Sequence, residues 1–174
     1  MNINFFSNLF LLSLLMALPE ISFSQSEITI LDVKFESQEI TLAGSILTPK
    51  NPIAAVVIVH GSDPVKREME FAIRLAKEGI AVLTYDKRGV GESGGVYVGP
   101  SVGTNNIDTT NLILLSHDAS SAVNTFRTYL KDKKTPIGLV GFSQAGWIIP
   151  ITVKKNPQIE FMVLFSCPTI TTLE

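Results

Sequence analysis

Four short apolar runs limit what this chain can fold into. Ala54–Val59, Ile80–Tyr85, Ile137–Val140 and Ile159–Phe165 are almost wholly hydrophobic and do not alternate with polar residues. A strand with one wet face alternates, and a strand covered on both faces does not. These runs therefore predict an α/β fold in which a mostly parallel sheet is covered by helices. Segments with helical spacing lie between them. Phe71, Ala72, Leu75 and Ala76 mark one helix, expected to start at Asp63-Pro64 and to end at Gly79. Leu112, Ile113, Ala119, Ala122, Val123, Phe126 and Leu130 mark a longer one over Thr109–Lys131. Ahead of the first run, Glu27–Phe35 and Glu39–Leu47 alternate around Ser37-Gln38, which predicts an antiparallel hairpin. Its expected inward residues are Ile28, Ile30, Val33, Ile40, Leu42 and Ile46.

Length and composition narrow the function classes. At 174 residues and 45% hydrophobic content, the chain can bury one sizeable core. The formal net charge is −2 and no basic block occurs, which argues against nucleic acid as a partner. The single cysteine, Cys167, has no partner for an internal disulfide and is expected to pack at a strand end. His60 and His117 are the two histidines, with no H-x-x-x-H or C-x-x-C spacing, so neither a metal nor a cofactor is expected.

The first 24 residues read as a targeting segment rather than as part of the fold. Leu9–Leu18 is an almost unbroken apolar run closed by Pro19, and Ser22-Phe23-Ser24 places small residues before a cut at Gln25. The run is shorter than the roughly 20 apolar residues needed to span a bilayer. Met1–Asn8 carries no Lys or Arg, a departure from the usual signal pattern. No cysteine lies near the cut, so a lipid anchor is not expected. Residues 25–174 would then be exported, to a periplasm or beyond, with no stable membrane anchor left after cleavage.

The stretch with most chemical content is Gly138–Gly146, where a short apolar run feeds Gly141-Phe142-Ser143-Gln144-Ala145. A strand that reverses sharply into a helix strains the serine backbone, and side chains two residues to either side would crowd it. Small residues at Gly141 and Ala145 are what that geometry requires, and it exposes the Ser143 hydroxyl at the sheet edge. A glycine-rich strand-to-helix turn with an ordinary serine would read similarly. No Lys follows Gly146 in P-loop spacing, which removes the commonest version of that alternative.

This segment resembles the nucleophile elbow of the α/β-hydrolase superfamily, with Ala145 standing where many members have glycine. Two further segments carry the same resemblance. His60-Gly61-Ser62 follows the first apolar strand as the superfamily's oxyanion loop does. Asp86-Lys87-Arg88-Gly89-Val90-Gly91-Glu92-Ser93 follows the next strand and looks like its D-x-R-G-x-G-x-S segment. Together with the strand ending in Ser166-Cys167-Pro168, the series is most similar to exported bacterial esterase-like hydrolases of the serine-aminopeptidase or dienelactone-hydrolase type. It covers about Ile28 to about Thr169, the N-terminal part of such a domain.

The resemblance implies a three-layer α/β-hydrolase sandwich and a serine hydrolase that cleaves carboxylic esters through an acyl-enzyme. Ser143 would be the nucleophile. The backbone N–H groups of Ser62 and Gln144 would form the oxyanion hole, and Gly61 would open the loop for them. His60 is expected to shape that loop, not to act as base. Asp86 and Arg88 are expected to pair and bond so as to hold the glycine-rich loop from Lys87 to Asp108, which would line the substrate entrance. His117 reads as a surface or packing residue on its helix. In this superfamily the triad acid and then the histidine follow the serine. After Ser143 this sequence has no Asp and no His; Glu160 is poorly placed and Glu174 is terminal. The expectation is therefore an N-terminal fragment of a longer enzyme, or a truncated product. Peptidase or thioesterase chemistry on the same elbow, or a non-catalytic product, are the alternatives.

Overall fold

The computed structural model describes residues 27–99 and 108–167. The expected signal segment, residues 100–107 of the long loop and the last residues from Pro168 lie outside them. Six strands form one sheet in the order β1-β2-β4-β3-β5-β6. They are β1 (Ile28–Ser37), β2 (Ile40–Pro49), β3 (Ala54–Val59), β4 (Ile80–Tyr85), β5 (Ile137–Phe142) and β6 (Phe161–Phe165), with α1 (Met69–Lys77), α2 (Thr109–Tyr129) and α3 (Ala145–Lys155) between them. β1 and β2 run antiparallel, β2 joins β4 antiparallel, and the remaining neighbours are parallel.

Three of the four apolar runs, β3, β4 and β5, do what their lack of alternation predicts. In β3, Ala55, Val57 and Val59 face one core and Val56 and Ile58 face another. Each fully buried Val, Leu or Ile contributes about 1.5–3 kcal/mol relative to exposure. Parallel crossovers are right-handed. Stepping from β3 to β4 therefore places α1 on one face, and stepping back past β3 to β5 places α2 on the other. α2 presents Leu112, Leu115, Ala119, Ala122, Val123 and Phe126 to the sheet, and Asp108 caps it by accepting from the Thr110 and Asn111 N–H groups. α1 is shorter and buries Ala72 and Ala76. It ends where Gly79 adopts φ +82°, a left-handed turn open to glycine at little cost.

Four expectations need correction. The hairpin turns at Gln38-Glu39, both at positive φ, so that Ser37 pairs with Ile40; the tight two-residue turn needs left-handed backbone at both positions. Ile30 is half exposed, because the two-residue period puts it on the face opposite Val33, Phe35 and Ser37, the buried residues of β1. α1 does not start at Asp63-Pro64. The Arg67 N–H donates to Asp86 Oδ1 (2.9 Å) and the Glu68 N–H to Thr84 Oγ1 (2.9 Å), so side chains at the end of β4 hold this segment as loop until Met69. Finally, the last strand starts at Phe161 and is not buried: Met162, Val163, Leu164 and Phe165 are exposed. It lies at the sheet edge, where an apolar run has no second neighbour among the described residues.

Candidate active site

The order of the strands locates the site. From β3 the chain moves to β4 on one side and later to β5 on the other, so the carboxyl ends of β3 and β5 diverge at a topological switch point, where open α/β sheets bind ligands. β3 and β5 are in register with Val59 opposite Gly141. This puts His60-Gly61-Ser62 beside Phe142-Ser143-Gln144. A Cβ built on Gly61 would lie 3.6 Å from the Ser143 Cβ.

Ser143 has φ +52° and is exposed. For a residue with a side chain this backbone costs about 1–3 kcal/mol and persists only where its surroundings impose it. Here the Ser143 N–H donates to the Phe165 carbonyl at the end of β6 (3.3 Å), and its own carbonyl accepts from Gly146 (2.9 Å). Gly141 is obligatory. A Cβ there would stand 2.4 Å from the Ala145 Cβ and 2.8 Å from the Val59 carbonyl oxygen. Ala145 is fully buried in the same contact. Gln144 opens α3, so the first backbone N–H after the serine sits at the positive end of a helix dipole.

His60 is buried, stands edge-on to the Tyr85 ring (4.7 Å) and bonds the Tyr85 backbone. Burial, followed by the charge of Lys87, pushes its pKa down to about 4. The imidazole is therefore neutral at pH 7 and a weak base. Its Nε2 has no hydrogen-bond partner among the described residues.

Asp86, Lys87 and Arg88 are consecutive and all buried, yet each reaches a different part of the molecule. Asp86 accepts from the Arg67 side chain and from the Arg67 and Glu92 N–H groups. Burial pushes its carboxyl up, but these bonds more than offset that and hold its pKa below the usual value. Arg67 also meets Asp32 and Glu92. Arg88 crosses to α2, where its Nε donates to Asp118 Oδ2 (2.9 Å) and its Nη2 to Oδ1; the Ser37 hydroxyl donates to the same carboxylate (2.6 Å). Asp86 and Arg88 thus pair with Arg67 and Asp118, and not with each other. Arg67 and Asp118 were not legible as partners, because each lies far from its mate in sequence.

Lys87 faces the serine side. Its Nζ donates to the Gly61 carbonyl (2.6 Å) and to Gln144 Oε1 (3.2 Å), and lies 5.5 Å from the centre of the Tyr97 ring. The Tyr97 hydroxyl donates to the Ser62 carbonyl (2.8 Å). Burial lowers the Lys87 pKa to about 8, against a smaller upward pull from Asp63. Nothing local in the sequence marks this lysine or Tyr97. Cys167 is half-buried, its Sγ 3.8 Å from the Gly141 carbonyl oxygen. Among the described residues no cluster of His, Cys, Asp or Glu could hold a metal, and no helix is long and apolar enough to cross a membrane. An open groove of about 590 Å³ lies between α1 and the end of β5, floored by Phe71 and Phe142.

No curated protein matches the sequence. Solved structures do. An esterase of Pyrococcus furiosus superposes with a TM-score of 0.62 at 26% identity, over 82% of this chain and 53% of that one. A cold-adapted esterase from an Arctic intertidal metagenomic library gives 0.58 at 20%, over 81% and 63%. A dienelactone hydrolase-like promiscuous phosphotriesterase from metagenomic libraries gives 0.61 at 17%, over 80% and 59%. This chain spans about half the length of the first structures it matches. Residues 50–172 match the family model described as serine aminopeptidase, S33. With an elbow at the switch point of a mixed six-stranded sheet, the chain belongs to the serine aminopeptidase (S33) family of α/β hydrolases.

Proposed function

We propose that the protein is a serine hydrolase that cleaves carboxylic esters through an acyl-enzyme on Ser143. The observation that carries this is an exposed serine held at φ +52° on a strand-to-helix turn, beside the Gly61-Ser62 loop. Ser143 Oγ bonds to the substrate carbonyl carbon while its proton passes to a general base. The alkoxide then leaves with that proton, and water releases the acid. The negative oxygen formed on attack is taken up by the Ser62 and Gln144 N–H groups. Fixed donors of this kind lower the barrier by a few kcal/mol without reorganising.

His60 is unsuited to be that base, since a group of pKa about 4 takes protons poorly at neutral pH. No Asp or His follows Ser143 in these 174 residues. The base and its acid are therefore proposed to come from outside this sequence, and export through the N-terminal segment is part of the same reading. A non-catalytic product is the second reading, favoured by the weak basicity of His60, the histidine of the loop beside Ser143. Sequencing the locus past the codon for Glu174 separates the two. An open frame supplying an Asp and then a His supports the hydrolase, and a stop directly after Glu174 removes it. Peptidase or thioesterase activity is distinguished by assaying 4-nitrophenyl esters against aminoacyl anilides and acyl thioesters.

A further inference from the structure

We propose that Lys87 is a positioning residue whose ammonium ties the Gly61-Ser62 loop to the first turn of α3, so that the two oxyanion donors keep their register only while it is charged. The proposal rests on the hydrolase reading for its meaning in catalysis, but the tie itself is a matter of geometry. Lys87 Nζ donates to the carbonyl of Gly61 on one side and to the side-chain carbonyl of Gln144 on the other. Each acceptor belongs to, or directly precedes, a residue whose N–H is assigned to the oxyanion hole. Tyr97 closes the arrangement from below, with its ring beneath the ammonium and its hydroxyl on the Ser62 carbonyl. A lysine has three donors and no acceptor, so one charged head can hold two carbonyls from separate segments.

What makes this lysine unusual is the absence of a carboxylate in contact. It is buried, yet it forms no ion pair among the described residues; both its acceptors are neutral. Such a charge costs solvation that Asp63, out of contact, returns only in part. It also sits where a positive charge favours a developing oxyanion. The groups around it are His60 at the end of β3, Asp63 in the oxyanion loop, Asp86 beside it in sequence, and the phenols of Tyr85 and Tyr97. α2 and α3 face it with Leu115 and Ile148. Burial places its titration near pH 8, whereas His60 titrates near 4 and burial pushes the Tyr85 phenol well up. A change centred near pH 8 that disappears in K87M is thus assignable to Lys87.

The test follows the two acceptors directly. In the ¹³C-labelled full chain, the backbone carbonyl of Gly61 and the side-chain carbonyl of Gln144 are followed by NMR through an alkaline titration. Both resonances are expected to shift together with a midpoint near pH 8, and to stay flat in K87M and in K87R, whose guanidinium keeps its charge throughout. Carbonyls that do not titrate, or that titrate unchanged in K87M, overturn the tie. Where the protein hydrolyses a 4-nitrophenyl ester, kcat is expected to fall along the same alkaline curve with KM held, and K87M to lose about 10–100-fold in kcat. A kcat that stays level while the carbonyls titrate overturns the positioning role. If Ser143 refuses a fluorophosphonate and no ester turns over, the hydrolase reading fails, and the carbonyl titration still decides the tie.

Discussion

Arg88 and Lys87 are neighbours in sequence, both buried and both charged, and they are satisfied in opposite ways. Arg88 meets a buried carboxylate in a two-point contact, with the Ser37 hydroxyl completing the set. It joins the hairpin end, the loop after β4 and α2, away from Ser143. Lys87 meets two neutral carbonyls and an aromatic face, beside Ser143. A paired buried charge resists removal because its mate is left stranded; an unpaired one already carries its desolvation penalty. The first is scaffold. The second gives up stability where a charge is of use, the pattern expected near functional sites.

The largest expected effect on this contrast comes from Asp118→Ala, which strands the Arg88 guanidinium and should cost about 3–5 kcal/mol of stability in urea unfolding. Next, Gly141→Val forces a side chain into the space held by Ala145 and the Val59 carbonyl. It should cost about 1–3 kcal/mol and displace the elbow, read as a lower melting temperature with loss of Ser143 reactivity. Lys87→Met should change stability at pH 7 by less than about 1 kcal/mol, since the lost hydrogen bonds and the relieved desolvation oppose each other. A loss as large as that of Asp118→Ala would erase the distinction between the two charges. Smallest of all, Glu70→Ala removes an exposed pair with Arg74 on α1 and should fall within about 0.5 kcal/mol.

The two kinds of charge also differ in pH dependence. Lys87 releases its proton near pH 8 in the folded chain and near 10.5 when unfolded. Between those values the unfolded chain binds more protons, so the Lys87 contribution rises with pH and its penalty is fully present below pH 8. Asp86 shifts stability in the same direction at the acid end, but there it is the charged form that stabilises. Its folded pKa lies below 3.8, so its stabilisation is complete above that value and is lost as pH falls through the lowered one. Urea unfolding at pH 7 and pH 10 should show a rise for the native chain that K87M lacks.

Local chemistry was legible in the sequence, and long-range chemistry was not. Gly141, Ser143 and Ala145 could be read together because the constraint that joins them acts within five residues. β3, β4 and β5 could be read because burial on both faces writes itself as an unbroken apolar run. The start of α1 is not legible because Asp63-Pro64 has the local form of a helix start, while Asp86 and Thr84 at the end of β4 take the Arg67 and Glu68 N–H groups. The exposure of β6 is not legible because an apolar run looks alike at the centre and at the margin of a sheet. Lys87 stood inside a charged tripeptide, and its direction is set by packing that no spacing reveals.

The most direct test of the account is fluorophosphonate labelling of the protein made from its own reading frame, with peptide mapping by mass spectrometry. One adduct is expected, on the peptide carrying Ser143, and it is lost in S143A. An adduct on another residue, or none in a chain that supplies an Asp and a His beyond Glu174, would contradict it.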